Sequence, residues 1–375
     1  MSILELTPRQ AWERLRAGAL LIDVRADHER ELGMAEGALG IERSQLESDP
    51  GIHLPDHDAE VLLICQSGRR SQLAAQTLAD CGYRNLTSVA GGTSAWEAAG
   101  LPMLRPDLDA DFSERYSRHL RLPEVGIAGQ KRLQAARVLF VGAGGLGSPA
   151  AFYLAAAGVG TLRLVDDDVV DRSNLQRQIL HTDARIGMDK VASAAAMLTA
   201  LNPRTRVEAI VERITSDNVE RLLEEVDVVF DGADNFPVRY LLNDACVKLR
   251  KPLVYGAVHR FEGQVSVFDA GRQRGVAPCY RCLFPQPPPA DAAPNCSEAG
   301  VLGVLPGVIG LLEATEVIKL ILGIGEPLAG RLLHFDALSM RFRETRLTAD
   351  PECAVCAPGR AFPGYIDYAA FCSGT

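Results

Sequence analysis

The sequence predicts an α/β protein of two domains, each a largely parallel sheet covered by helices. Three observations carry this. Over residues 1–104 short apolar runs alternate with helical patterns: Leu20–Val24, then Val61–Cys65, then a helix from Ser71 to Cys81. Such alternation builds a parallel sheet buried on both faces. A charged, proline-bearing stretch over 105–111 then reads as a linker. Beyond it, over 112–375, the order strand (Arg137–Val141), glycine turn, helix (Ser148–Ala157), strand (Thr161–Val165) is that of a doubly wound fold, whose ligands sit beyond the carboxyl ends of the strands.

The remaining elements follow the same reasoning. The second segment opens on an expected helix from Ser113 to Leu120, and a further strand, Val226–Phe230, ends at Asp231-Gly232-Ala233-Asp234-Asn235. From Leu253 to Phe268 the pattern becomes strand-like, and Gln286–Pro294, rich in Pro and Ala, reads as a mobile loop. Val301–Leu312 is the most apolar stretch, interrupted by Glu313 and Glu316. It falls short of the roughly 20 apolar residues a membrane span needs, and reads as a glycine-rich turn leading into a core helix. With no basic, apolar leader at the N-terminus, a cytoplasmic location is expected. The formal net charge of −9 disfavours nucleic acid as a partner, since phosphate binding needs a basic surface.

Nine cysteines are spaced unevenly. Cys279-x-x-Cys282 and Cys353-x-x-Cys356 form two knuckles, and four thiolates suit a closed tetrahedral Zn²⁺ site. Cys81, Cys246 and Cys372 stand in no motif and read as small buried or incidental residues. Cys65 opens the loop Cys65-Gln66-Ser67-Gly68-Arg69-Arg70-Ser71 between a strand and a helix. Free amides at the helix start, the dipole and the two arginines should all lower the thiol pKa and favour the nucleophilic thiolate. Four residues separate Cys65 from Arg70, a ring tight enough to favour one sulfur atom over a phosphate group.

Gly142-Ala143-Gly144-Gly145-Leu146-Gly147 lies between strand and helix, where glycines let the backbone approach a phosphate. Asp166, 19 residues beyond Gly147, is placed for a ribose hydroxyl. Alone, this fits a nicotinamide-dependent oxidoreductase equally well. No Gly-Lys-Ser/Thr P-loop is present, so triphosphate charge must be met elsewhere. Asn174 and Arg177 for phosphates, Lys190 for the β/γ region and Asp234 for Mg²⁺ would complete an ATP clamp.

Residues 5–104 resemble the rhodanese family through Ile22-Asp23-Val24-Arg25 with Glu29, the Cys65 loop and Gly91-Gly92-Thr93-Ser94-Ala95-Trp96. That resemblance implies a persulfide on Cys65, with Asp23 and Arg25 supporting the site. The family often has a Gly-His-Ile-like stretch where this chain has Gly33-Met34-Ala35-Glu36-Gly37. Residues 112–360 resemble the MoeB/ThiF adenylyltransferases, through Arg115-Tyr116-Ser117-Arg118-His119, the glycine turn, Ser173-Asn174-Leu175-Gln176-Arg177-Gln178, Gly232-Ala233-Asp234-Asn235 and Cys296-Ser297-Glu298-Ala299-Gly300. This second resemblance implies ATP held by Gly145, Asp166, Asn174, Arg177, Lys190 and Asp234, and Arg118 entering the partner's site in a homodimer. It also implies a covalent role open to Cys296.

Together the two imply ATP-dependent adenylation of a ubiquitin-like sulfur carrier ending in Gly-Gly, followed by sulfur transfer from Cys65, charged by a persulfide or thiosulfate donor. The small subunit of molybdopterin synthase is the leading carrier, with thiazole, tRNA and natural-product thiolation carriers behind it. Two rivals are a ubiquitin-type activator that forms a thioester on Cys296, and a rhodanese domain that only docks.

Overall fold

The computed structural model describes residues 3–287 and 300–373. The chain divides into two compact units, one ending at Ala128 and the other beginning at Gly129.

The first unit is built on β1 (Leu4–Leu6), β2 (Leu20–Asp23), β4 (Leu39–Gly40), β5 (Val61–Ile64) and β6 (Leu86–Val89), in the order β1-β6-β5-β2-β4. Every pairing in that sheet is parallel. Alternate residues of the central strands therefore meet different cores. Val61 and Leu63 join Ala74, Ala75 and Leu78 on one face, while Leu62 and Ile64 join Leu21 and Trp96 on the other. Burial on both faces explains why β5 reads as unbroken aliphatics rather than an alternating pattern. The stretch that departs from the rhodanese pattern forms β3 (Met34–Ala35), paired antiparallel with β7 (Met103–Leu104).

The segment after 105–109 differs from expectation. Its helix spans Ala110–Arg115 rather than Ser113–Leu120, because the Asp109 carboxylate accepts the Asp111 amide at 3.0 Å and starts the helix early. A 3₁₀ turn follows at His119–Arg121. Phe112, Tyr116 and Leu120 then pack with Leu32, Leu108 and Ile127. Burial of these apolar side chains, not the charged stretch before them, ties residues 110–127 to the first unit.

The second unit holds an eight-stranded sheet of order β10-β9-β8-β11-β12-β13-β14-β15. Its parallel half comprises β8 (Arg137–Val141), β9 (Thr161–Val165), β10 (Arg206–Ile210), β11 (Val228–Asp231) and β12 (Leu253–His259). In chain order that half reads 3-2-1-4-5, so strand order reverses between β8 and β11. A crevice opens beyond the strand ends at such a reversal. The antiparallel half adds β13 (Glu262–Phe268), β14 (Arg331–Asp336) and β15 (Arg341–Arg346). The apolar run beginning at Val301 becomes the helix Leu305–Leu322, entered through Pro306 and closed by Gly323 at φ 64°. No helix among the described residues is long and apolar enough to cross a membrane.

Gly310 lets this helix lie against the glycine turn: a Cβ there would stand 2.4 Å from the Leu146 carbonyl oxygen. Gly-to-Ala ordinarily stabilises an exposed helix interior by about 1 kcal/mol. Here the clash wins, and Gly310→Ala should destabilise the protein by about 2 kcal/mol. Urea unfolding checks the sign, and a variant more stable than wild type would refute the close approach.

Candidate functional site

In the first unit, the Cys65 loop leaves β5 and runs into the helix Arg69–Asp80. Two glycines make the turn possible. Gly68 adopts φ 91°, and a Cβ on Gly92 would stand 2.0 Å from the Cys65 carbonyl. That carbonyl accepts the Thr93 amide at 2.7 Å, and Gln66 O accepts Ser94 N at 3.2 Å, fastening the loop to the following segment. The sulfur is recessed, with Cys65 only 1% exposed. Ser71 N donates to Sγ at 3.3 Å, and Ser71 Oγ lies 3.4 Å from it. Burial pushes the thiol pKa up, but Ser71 and the Ser67 and Gly68 amides outweigh it, and the net direction is down. The loop is thus a cradle for a sulfur anion.

The arginines divide differently from expectation. Arg25 is buried and forked onto Asp23, with Nη2 to Oδ2 at 2.7 Å, and it donates to Gly33 O at 2.6 Å and to Gln66 Oε1 at 3.2 Å. It braces the loop from behind. Arg70 does not act as a free cation at the loop: Glu29 takes both of its terminal nitrogens, at 2.6 and 2.7 Å. Sequence spacing cannot reveal a pairing across so many residues.

In the second unit, a cleft of about 1030 Å³ lies at the reversal between β8 and β11. Gly145, Asp166, Arg177, Lys190 and Asp234 all line it. The Asp166 carboxylate accepts the Ala143 amide at 2.8 Å and the Asp168 amide at 2.9 Å. It is thereby fixed across the start of the glycine turn. Burial raises its pKa, against the pull of Lys190 and those amides. Lys190 Nζ sits 2.8 Å from Asp168 Oδ2, so in this state its charge is met by a carboxylate that a phosphate would have to displace. Asp234 is exposed at the end of β11 beside Asn235, whose side chain caps the next helix through Val238 N at 3.1 Å. Asn174 is not among the residues lining the cleft; it belongs to a 3₁₀ turn on which the Arg177 and Gln178 amides fasten. Arg118 lies in the first unit, and Cys296 falls outside the described residues.

Three residues of this site escape sequence reasoning. Gln178 lines the cleft, is 5% exposed, and its Oε1 lacks a partner among the described residues, so the cleft offers a buried acceptor suited to a polar ligand. His181 bridges Ser193 Oγ and the Ala143 carbonyl, each at 3.0 Å, and steadies the glycine turn from beneath. Arg239 donates to Ala233 O at 2.9 Å and Gly256 O at 3.0 Å, joining the loop that carries Asp234 to β12. Asn235 as a helix cap, with Arg239 one turn on, was the available signal for the last. Cys372, read as incidental, borders the same cleft.

The two CxxC knuckles converge. Their Sγ atoms all lie within 4.8 Å of one another, with Cys279–Cys353 at 3.6 Å, Cys282–Cys356 at 3.4 Å and Cys279–Cys282 at 3.9 Å. Zn–S bonds of about 2.3 Å give a tetrahedron with edges near ~3.8 Å, which these separations match. None of the four is in a disulfide. The Asp350 amide points at Cys282 Sγ at 3.4 Å, the outer support expected of a metal thiolate. Between the first two cysteines, Arg281 forks onto Asp244 at 2.8 and 2.9 Å, and Tyr368 donates to the same carboxylate at 2.8 Å. The knuckle and the C-terminal helix Tyr368–Ser373 thus share one buried anchor.

Comparison with known proteins divides the chain into the same two parts, with the second match beginning inside the first unit. Residues 7–99 match the rhodanese-like domain and residues 116–355 match the ThiF family. A sulfur carrier protein adenylyltransferase of Thermus thermophilus is 52% identical over 260 residues, covering 69% of this chain and 96% of that protein. The SAMP-activating enzyme E1 of Haloferax volcanii is 51% identical, covering 67% and 92%. An adenylyltransferase and sulfurtransferase MOCS3 of Drosophila virilis is 48% identical over 71% of this chain, and the match spans 58% of that protein's length. In fold the chain is similar to E. coli MccB, with TM-score 0.58 and 20% identity over 74% of this chain and 87% of that one. A glycine turn at a sheet reversal, a cleft edged by paired acids and bases, and a four-thiol cluster thus sit in a chain that belongs to the ThiF family and carries a rhodanese-like domain before its ThiF portion.

Proposed function

We propose that this chain adenylates the C-terminal glycine of a ubiquitin-like sulfur carrier ending in Gly-Gly and then delivers sulfur to it from Cys65. The observation that carries the reading is the presence, in one chain, of a ThiF cleft and an intact thiolate cradle. The carrier's carboxylate attacks the α-phosphorus of ATP, forming an acyl-adenylate and releasing pyrophosphate. Positioning and charge neutralisation do most of this work, because the chemistry asks for little covalent help from the protein.

In this account the glycine turn and the start of the helix Gly147–Ala156 receive the phosphates, and Asp166 takes the ribose. Arg177 and Lys190 turn toward the phosphates, Lys190 exchanging Asp168 for the nucleotide. Asn174 contributes by ordering the turn that holds Arg177. Asp234 would hold Mg²⁺, which would offset pyrophosphate charge. Arg118 serves the cleft of a second copy in a homodimer. The four cysteines would hold Zn²⁺ as a closed structural centre, with no open position for chemistry.

The sulfur step balances as follows. The Cys65 persulfide anion attacks the acyl-adenylate carbonyl and AMP leaves, giving an acyl disulfide between carrier and Cys65. Two equivalents of an external thiol then reduce the S–S bond: the first displaces the carrier thiocarboxylate and leaves a mixed disulfide on Cys65, and the second frees the Cys65 thiolate as the two thiols become a disulfide. Molybdopterin synthase's small subunit is the first carrier to test. The similarity to the H. volcanii E1 favours a second reading, in which Cys296 takes the carrier as a thioester for conjugation.

Two outcomes test these assignments. Asp234→Ala should abolish carrier-dependent ATP–pyrophosphate exchange while leaving the melting temperature near that of wild type, and undiminished exchange would remove Asp234 from the site. Metal analysis should find about one Zn per chain, as a Cys₄ site requires. Cys353→Ser should lower both zinc content and melting temperature. A stable, zinc-free wild-type protein would overturn the metal assignment.

A further inference from the structure

The mouth of the Cys65 site is less cationic than its sequence suggests, and the reason is one side chain. Arg70 stands two residues beyond the loop glycine Gly68, is 40% exposed, and lies close enough to Cys65 for their charges to interact. Its two terminal nitrogens are nonetheless taken by the two oxygens of Glu29, at 2.6 and 2.7 Å, in the fork geometry that fits guanidinium to carboxylate. Glu29 is held in turn: its Oε2 accepts the Ala26 amide at 3.3 Å, so the carboxylate is aimed rather than loose. Its pKa is lowered, chiefly by the bond from Arg70. Arg25 is cancelled in the same way by Asp23. Of the three arginines around the loop, only Arg69 brings a charge with no carboxylate partner among the described residues.

This arrangement bears on which donor charges the cradle, and it rests on the reading of Cys65 as the sulfur-accepting thiol. Two donor classes balance chemically. With thiosulfate, the Cys65 thiolate attacks the sulfane sulfur, the S–S bond to the sulfonate breaks, and sulfite leaves, so a dianion must enter and a dianion must depart. With a thiol-borne persulfide, R–S–SH, the thiolate attacks the outer sulfur and R–S⁻ leaves, so no dianion approaches the loop. The sulfur anion formed on Cys65 is in both cases stabilised chiefly by Ser71 and the loop amides, with Arg70 a lesser attraction. The arginine's charge therefore matters to the donor far more than to the product. We propose that Glu29 is a positioning residue that sets donor preference, neutralising Arg70 so that the Cys65 site favours a thiol-borne persulfide over thiosulfate.

The test compares full-length wild type, Glu29→Gln, Arg70→Gln and the double variant. Thiosulfate and cysteine persulfide serve as separate donors, and cyanide as the common acceptor. Cyanide removes the outer sulfur from Cys65 as thiocyanate and regenerates the thiolate, so differences between the arms report on the donor. Freeing Arg70 in Glu29→Gln should lower the thiosulfate KM about tenfold, with kcat and the cysteine-persulfide KM changed by less than about twofold. The double variant should lose that gain. A thiosulfate KM unchanged in Glu29→Gln, or an equal change for both donors, would overturn the inference. A second check leaves the pair untouched: once the unpaired Arg69 is removed in Arg69→Gln, thiosulfate kcat/KM should fall only weakly with added salt. A steep fall persisting in Arg69→Gln would mean the Glu29–Arg70 pair is open in solution and would overturn the inference too. Wild type inert toward both donors would instead overturn the Cys65 reading itself.

Discussion

Two backbone segments approach each other at the reversal of the large sheet, and the cleft proposed for the nucleotide depends on how close they come. A Cβ on Gly142 would stand 2.6 Å from the Gly232 carbonyl, and one on Gly232 would stand 2.8 Å from the Gly142 carbonyl. Gly147 is fitted against the same Gly142 oxygen, at 2.5 Å for its missing Cβ. No side chain larger than hydrogen can occupy these positions without moving backbone. The contact fixes the end of β8 against the end of β11, and with them the glycine turn against the loop bearing Asp234. His181 below, Arg239 alongside and the helix Leu305–Leu322 behind all reinforce that arrangement.

The two chemical centres handle negative charge in different ways. At Cys65 a single sulfur anion is met by amides and a serine inside a recessed loop, and two of the three nearby arginines, Arg25 and Arg70, are matched by carboxylates. Fixed dipoles suffice for one charge at one atom. In the proposed function the cleft must face several phosphates, and it provides cations whose partners can be exchanged: Lys190 rests on Asp168, and the Arg177 guanidinium donates to the Ser173 carbonyl at 3.3 Å and pairs with no carboxylate among the described residues. The four-thiol cluster and the Asp244–Arg281 pair are structural in contrast, and breaking such a buried pair ordinarily costs about 3–5 kcal/mol.

Much of this was legible in the sequence where the signal is local. The glycine turn, the Cys65 loop and each CxxC are short patterns whose function depends on residues a few positions apart. The strand Thr161–Val165 was bounded by its own apolar run, and β8 by the glycine turn after it. What stayed hidden depends on contacts between distant residues. Glu29 and Arg70 meet across two elements, so the loop looked doubly cationic. Gln178 and His181 look like ordinary polar residues until the turn above them is in place. Residues 110–127 read as the opening of the second domain and the ThiF match begins among them, while the packing of Phe112, Tyr116 and Leu120 with Leu32 depends on a distant residue that no local pattern points to. The helix began three residues early because Asp109, taken for part of a linker, is its cap.

The central claim is that activation by ATP and delivery of sulfur belong to one chain and that sulfur enters through Cys65. Mass spectrometry of the carrier after incubation with ATP, a persulfide donor and a thiol reductant tests it directly. With wild type the carrier should exchange one oxygen for sulfur, gaining about 16 Da, the mass signature of a thiocarboxylate made by nucleophilic transfer. Cys65→Ala protein should retain ATP–pyrophosphate exchange but leave the carrier mass unchanged. Thiocarboxylate formed by Cys65→Ala at the wild-type rate would contradict the account.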